Sequence, residues 1–335
     1  LLREGLIEMD DGFMGSSDFT VPHNILQAVI ADDSVVGDKT MHSFSAPYFE
    51  HRMPSHTLAD AVLPSEVMDD LGTALGSLQG DLQSLLREWG VERITAQRET
   101  GSLLLLFSGP AGTGKTYTAE AFAGALGRNL LITDAGKILS KWYGESEHNL
   151  QRVFNIYARI AKTNEQIPVL LLNECDQLLM RRDSIADGKN TSQTEHRLQN
   201  ILLEQLERFP GVLIATTNLV ESLDEAFSRR FDYKIVFPQP DATARFKLWR
   251  RHIPAAVPLD SDVDFQALAT RFAFTGGQIA VAAMNAIRKA AVRGDNLTQS
   301  DLLHACLLEM QGSFEGAGAQ GQQIGFHPGL QEDLH

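Results

Sequence analysis

The sequence predicts an α/β fold: a doubly wound, five-stranded parallel sheet of the phosphate-loop type, followed by a small all-helical lid domain. Three observations predict it. Between residues 103 and 237, short continuous apolar runs, as expected of strands buried on both faces, alternate with helical patterns. A glycine-rich segment, Gly109-Pro110-Ala111-Gly112-Thr113-Gly114-Lys115-Thr116, joins the first of those runs to the helix after it. Beyond Pro238 and Pro240 the strand signals stop, and only helical spacing continues to about residue 311.

Taken in order, residues 1–50 hold Gly, Ser and Asp clusters from Asp10 to Ser17, a short apolar segment around Ile25 to Ile30, and the loop-like Ser45-Ala46-Pro47. They read as a small or incomplete N-terminal module. A large α/β domain is expected over 51–240. Ser65 precedes a helical stretch from Glu66 to Trp89 whose apolar spacing suits packing on that domain. The expected strands are Leu103–Phe107, Asn129–Thr133, Val169–Asn173, Gly211–Thr216 and Tyr233–Phe237, with helices near 116–127, 146–162, 193–208 and 222–229. Alternation at this spacing gives parallel strands with helices on both faces. The lid domain, 241–311, contains helical stretches Gly277 to Arg293 and Leu297 to Met310. Residues 312–335 open with a Gly/Gln/Ala tract and read as a flexible tail.

Composition narrows the function classes. A formal charge of −14 disfavours non-specific binding to nucleic acid, which needs a clustered basic surface. Hydrophobic residues at 43% with 21% charged fit a soluble globular chain, and no apolar run approaches the roughly 20 residues that span a bilayer. Two cysteines, Cys175 and Cys306, argue against a disulfide framework or a zinc site and for a reducing compartment, the cytoplasm by default. No signal peptide is visible, and the chain starts Leu-Leu-Arg without Met, as a fragment does.

The glycine-rich segment carries the chemistry. Glycines at 109, 112 and 114 let successive backbone N–H groups turn inward around phosphates. Lys115 reaches the β- and γ-phosphates, the Thr116 hydroxyl ligates Mg²⁺, and the N-terminus of the helix, running on through Tyr117, adds a positive field. The expected ligands are therefore ATP, or another nucleoside triphosphate, and Mg²⁺.

The order GPAGTGKT, KWYGESE, LLLNECD, IATTN, SRRFD and TGGQ resembles the core module of the AAA ATPases, over roughly residues 57–311. The resemblance implies a role for each matched position. Glu174, at the end of an apolar strand, is the implied catalytic base that polarises the attacking water. Asn173 stands where the family has an Asp that helps hold Mg²⁺. It keeps a carbonyl oxygen but loses a charge, and a charge about 4 Å away is worth about 4 kcal/mol at an effective dielectric of 20, before solvation is subtracted. Asn218 matches the residue that orients the water and senses the γ-phosphate. Arg229 and Arg230 match arginine fingers, which a neighbouring subunit inserts at the γ-phosphate. Gly276 and Gly277 match the lid position that approaches the nucleotide, His252 a base- or ribose-contacting position, and Ala61 and Val62 the adenine contacts. Trp142 and Tyr143 resemble the aromatic pair with which protein-threading members grip a chain in a central pore.

The resemblance thus implies a Mg²⁺-dependent ATPase that assembles as a ring, a hexamer by analogy, and unfolds, disassembles or remodels a protein substrate. The Asn-Glu variant and the SRRFDYKIVF string are most similar to bacterial members, some of which accompany phage-tail-like contractile injection systems. Asn173 keeps a second reading open: a nucleotide-dependent assembly switch or scaffold that hydrolyses little.

Overall fold

The computed structural model describes residues 8–9, 19–20, 48–78, 85, 88–90, 101–139, 145–164, 166–179, 191–219 and 223–312. The chain divides into two units, Leu1–Pro47 and Tyr48–His335. In the first, β1 (Glu8–Met9) pairs antiparallel with β2 (Phe19–Thr20), Glu8 lying opposite Thr20.

The second unit is built on a six-stranded sheet of β3 (Glu50–Arg52), β4 (Leu103–Ser108), β5 (Leu130–Asp134), β6 (Val169–Asn173), β7 (Val212–Thr217) and β8 (Tyr233–Val236), in the order β3-β5-β6-β7-β4-β8. The five expected strands are present and mutually parallel. The sixth, β3, pairs antiparallel with β5, Glu50 opposite Ile132 and Arg52 opposite Leu130. Its sequence, Glu-His-Arg, has no apolar alternation because it lies on the sheet edge with one side toward water. Every side chain of β4 and β7 is buried, which explains their unbroken apolar runs.

Helices cover both faces. On one, α1 (Ser65–Gly76) and α2 (Lys115–Ala125) place Val67, Leu71 and Phe122 against Phe107 and Ile214. On the other, α4 (Glu145–Thr163) and α6 (Thr191–Glu207) pack Leu150, Tyr157 and Leu202 with Leu170 and Leu213. Tyr157 stacks on Phe209 at 4.6 Å and donates its hydroxyl to the Pro168 carbonyl at 2.8 Å, so its one polar atom is satisfied inside the core. Each such side chain contributes about 1.5–3 kcal/mol by leaving water. Short helices α3 (Ala135–Ile138), α5 (Asp176–Leu179) and α7 (Glu225–Ser228) follow β5, β6 and β7. Of the helical stretch expected from Glu66 to Trp89, α1 ends at Gly76, and the described residues Leu85 and Glu88 are again helical.

The C-terminal helices are α8 (Ala242–His252), α9 (Phe265–Arg271), α10 (Gly276–Arg293) and α11 (Gln299–Gly312), gathered round Trp249, Leu268, Phe272, Ile279 and Leu302. Their starts are capped by side chains: Asp241 accepts from Ala244 N, Asp264 from Gln266 N and Ala267 N, and Thr275 with Gln278 forms a capping box. Leu297, expected to open the last helix, instead bridges to Leu259, and α11 begins two residues later. Among the described residues, no helix is long and apolar enough to cross a membrane.

Parallel register brings the C-terminal ends of the strands to one edge. Ser108 lies opposite Thr217, Phe107 opposite Thr216, and Asp134 opposite Asn173. In open parallel sheets that edge is where ligands bind.

Candidate functional site: a phosphate-loop cleft

The loop from β4 to α2 wraps this edge. Gly109 has φ +144, and a Cβ there would lie 2.2 Å from the Phe237 carbonyl oxygen. Gly112 has φ +75, and a Cβ there would meet Thr275 Oγ1 at 2.6 Å. Both positions demand glycine, for backbone shape and for close approach. Gly114 caps the start of α2, whose first helical residue is Lys115.

Lys115 is only 8% exposed, and its Nζ donates to the carbonyls of Gly109 at 2.6 Å and Pro110 at 2.9 Å and to Asn218 Oδ1 at 2.9 Å. All three partners are neutral. Burial therefore holds the ammonium below the ordinary lysine range, opposed by the nearby charges of Asp176 and Glu174. A buried cation on neutral oxygens beside a helix N-terminus is a receptor for an anion, so the donor set fits the phosphates of a nucleotide.

Next to it, Thr116 Oγ1 donates to Asn173 Oδ1 at 3.1 Å. Neighbouring oxygens of an octahedral shell at about 2.1 Å lie about 3.0 Å apart, so this pair also fits a hydrated Mg²⁺. Asn173 further accepts from Thr216 Oγ1 at 2.8 Å and donates from Nδ2 to Asp134 Oδ1 at 3.3 Å. Glu174 has φ +55, the left-handed region, and its N–H donates to Thr216 Oγ1 at 3.1 Å. That turn at the strand end brings Glu174 to the cleft wall, where an extended backbone continues away.

Asn218 is held from the other side. Asp176 accepts from Thr217 Oγ1 at 2.6 Å, from Asn218 N at 2.7 Å and from Asn218 Nδ2 at 3.1 Å. With Nδ2 committed to the carboxylate, Oδ1 is left for Lys115.

These groups border a cleft of about 680 Å³ between the sheet edge and the C-terminal helices. Ala111 to Tyr117, Ala61, Val62, Asn173, Glu174, Asn218, His252, Gly276 and Gly277 all line it. Gly109 and Pro110 stand behind, turning their carbonyls to Lys115. The Gly277 N–H donates to the Gly112 carbonyl at 3.0 Å, tying α10 to the loop. His252 is half-buried, and burial, then the Arg251 charge, lowers its imidazole below the ordinary value, which keeps it neutral at pH 7. The Tyr117 ring lies 4.8 Å from the His56 ring and 5.3 Å from the Arg251 guanidinium, and its hydroxyl accepts from Arg251 Nη2 at 2.5 Å.

One expected group is elsewhere. Arg229 is exposed and pairs with Glu225, while Arg230 pairs with Glu207 at 2.5 Å and donates to the Ala226 carbonyl at 3.1 Å. Neither lines this chain's own cleft. Trp142 and Tyr143 lie outside the described residues. Reading the sequence missed Asp134, Asp176, Thr216, Thr217 and Arg251. Asp176 was visible as the last residue of LLLNECD, and the two threonines within IATTN, but their contacts come only from strand register.

Residues 105–239 match the family described as ATPase family associated with various cellular activities (AAA), and residues 241–311 match the Contractile injection system ATPase helical domain. The chain is similar to Protein SAV of Sulfolobus acidocaldarius, 32% identical over 240 residues, covering 68% of the chain and 29% of that relative. It is 35% identical over 172 residues to the Cell division cycle protein 48 homolog of Archaeoglobus fulgidus, covering 50% of the chain and 22% of the relative. With Vacuolar protein sorting-associated protein 4B of Mus musculus it shares 30% over 235 residues, 63% of the chain and 50% of the relative. The chain spans half or less of the length of these relatives. The chain thus carries an AAA ATPase domain followed directly by a contractile injection system ATPase helical domain.

Proposed function

We propose that the chain hydrolyses ATP with Mg²⁺ and, as a ring-shaped oligomer, a hexamer by family analogy, remodels a protein substrate. The observation that carries the hydrolytic part is the Lys115 ammonium, buried on three neutral oxygens, one of which belongs to Asn218 at the neighbouring strand end. In this reading the loop amides and Lys115 bind the triphosphate. Thr116 and Asn173 hold Mg²⁺, which when bound neutralises charge on the β- and γ-phosphates. Glu174 accepts a proton from the attacking water as its oxygen bonds to the γ-phosphorus and the bridging oxygen leaves with ADP. Asn218 orients that water. Ala61, Val62, His252, Gly276 and Gly277 enclose base and ribose, and Arg229 and Arg230 reach the γ-phosphate of a neighbouring subunit.

The remodelling part rests on Trp142 and Tyr143 and on the resemblance of their segment to that of protein-threading family members. The helical-domain match supports a protein substrate within a contractile injection system. The two cysteines, buried and unpaired, suit a cytoplasmic site of action. Steady-state phosphate release tests the enzyme reading: the parent turns over, Lys115→Ala loses tight ATP binding, and Glu174→Gln binds ATP but releases phosphate about 100-fold more slowly or worse. A parent that binds ATP and releases no phosphate overturns it in favour of the assembly switch, which Asn173 favours. Proteins captured on the Glu174→Gln trap identify the substrate.

A further inference from the structure

Asn173 departs from the carboxylate that its strand-end position would ordinarily carry, and its surroundings contain the reason. The Thr216 hydroxyl accepts from Glu174 N–H and donates its single proton to Asn173 Oδ1 at 2.8 Å, and the Thr116 hydroxyl donates to the same oxygen. The amide NH₂ must then face the opposite way, toward Asp134 Oδ1 at 3.3 Å. Asp134 is the last residue of β5, directly opposite Asn173 in parallel register. Its second oxygen, Oδ2, lies 3.6 Å from Lys137 Nζ, a half-exposed pair one helical turn on. A carboxylate at 173 would point one oxygen at the Asp134 carboxylate across the same gap, and two like charges so close repel. The amide resolves this: it donates to Asp134 on one side and presents Oδ1 to Thr116 on the other.

We propose that Asp134 supplies from the neighbouring strand the negative charge that position 173 lacks, acting as a positioning residue that holds the Asn173 amide with Oδ1 toward the cation site at Thr116. This rests on the reading of the cleft given above. The charge is displaced by one strand and passed through one amide, as outer carboxylates act on the ligands of other metal sites. Asp134→Asn keeps an acceptor for the Asn173 amide and removes the charge. Asp134→Ala removes both.

The test uses the full chain, a non-hydrolysable ATP analogue and Mn²⁺, with bound and free Mn²⁺ read by electron paramagnetic resonance. Analogue affinity in the absence of divalent cation serves as the control for an intact loop. Asp134→Asn should weaken Mn²⁺ binding about 10-fold or more and Asp134→Ala at least as much, with cation-free analogue affinity held within about twofold. Asn173→Asp in the Asp134→Asn chain should restore Mn²⁺ affinity, whereas Asn173→Asp beside an intact Asp134 should gain far less. Unchanged Mn²⁺ affinity in both Asp134 variants overturns the proposal, as does an equal effect of Asn173→Asp in the two backgrounds. A parent that fails to bind the analogue at all overturns the nucleotide reading itself and this inference with it.

Discussion

Gly277 donates its backbone N–H to the carbonyl of Gly112 at 3.0 Å, so the first turn of α10 is fastened to the phosphate loop where neither residue has a side chain to hold them apart. The geometry ranks two substitutions. At Gly112 a Cβ would meet Thr275 Oγ1 at 2.6 Å on a φ of +75, whereas at Gly277 it would come no closer than 3.3 Å to Gly112 Cα. Gly112→Ala is therefore expected to cost about 1–3 kcal/mol of stability and to weaken ATP binding about 10-fold. Gly277→Ala should cost less on both counts. Thermal unfolding and calorimetry on the two variants check the order, and a reversed order refutes the contact as the cause.

Asp301 gives a pH prediction. Its side chain is buried and accepts from Arg293 Nη1 at 3.0 Å and Nη2 at 2.8 Å, from Thr298 Oγ1 at 2.8 Å, and lies 3.5 Å from Lys289 Nζ. The Arg293 hydrogen bonds, then those from Thr298, hold its carboxyl far below the ordinary value of 3.8 against the opposing effect of burial. A depressed carboxylate contributes stability that is present above its unfolded-state value and is lost as pH falls toward the folded one. Asp301→Asn should lower the thermal midpoint by about 5 °C at neutral pH and flatten the loss of stability below about pH 4. A variant that keeps the parent's acid profile shows that another carboxylate controls it.

Arg229 and Arg230 stand outside their own chain's cleft, so they are expected to serve a neighbour's. Subunits with both arginines replaced by Ala should bind ATP and hydrolyse it poorly. Mixing them with Lys115→Ala subunits should recover part of the activity, at interfaces that pair an intact loop with intact arginines. Absence of recovery at every mixing ratio, once subunit exchange is confirmed, refutes action between subunits.

Replacing Trp142 and Tyr143 together with Ala should leave ATP affinity intact and basal phosphate release within a few fold, while ATP-driven unfolding of a captured client is lost. The two rates are measured on one sample. A double variant that still processes its client removes the threading mechanism.

What the sequence made legible, and what it hid, follows from how each part is encoded. Strands β4 to β7 were readable because central parallel strands are largely apolar, as Leu103 to Phe107 are, whereas β8 lies on the other sheet edge and alternates around the exposed Lys234. The loop was readable because its glycines are required by contacts that no other residue satisfies at Gly109 and Gly112. Strand β3 was not, since Glu50-His51-Arg52 is an edge whose pairing depends on β5, 78 residues away by register from Arg52 to Leu130 at its nearer end. Asp134 and Asp176 were passed over for a similar reason. An aspartate at a strand end or before a short helix is an ordinary turn residue until the register places Asn173 opposite one and Asn218 beside the other.

The ammonium of Lys115 has one further consequence. It owns three N–H donors, and all three face protein oxygens, so an arriving phosphate is admitted by exchange, each new bond displacing an old one. When the displaced partner is Asn218, a residue 103 positions further along the chain and on a different strand end gives up one of its side-chain bonds, while its Nδ2 stays on Asp176. Loading thereby leaves one oxygen of that amide, Oδ1, without its ammonium partner while the nitrogen end keeps its place.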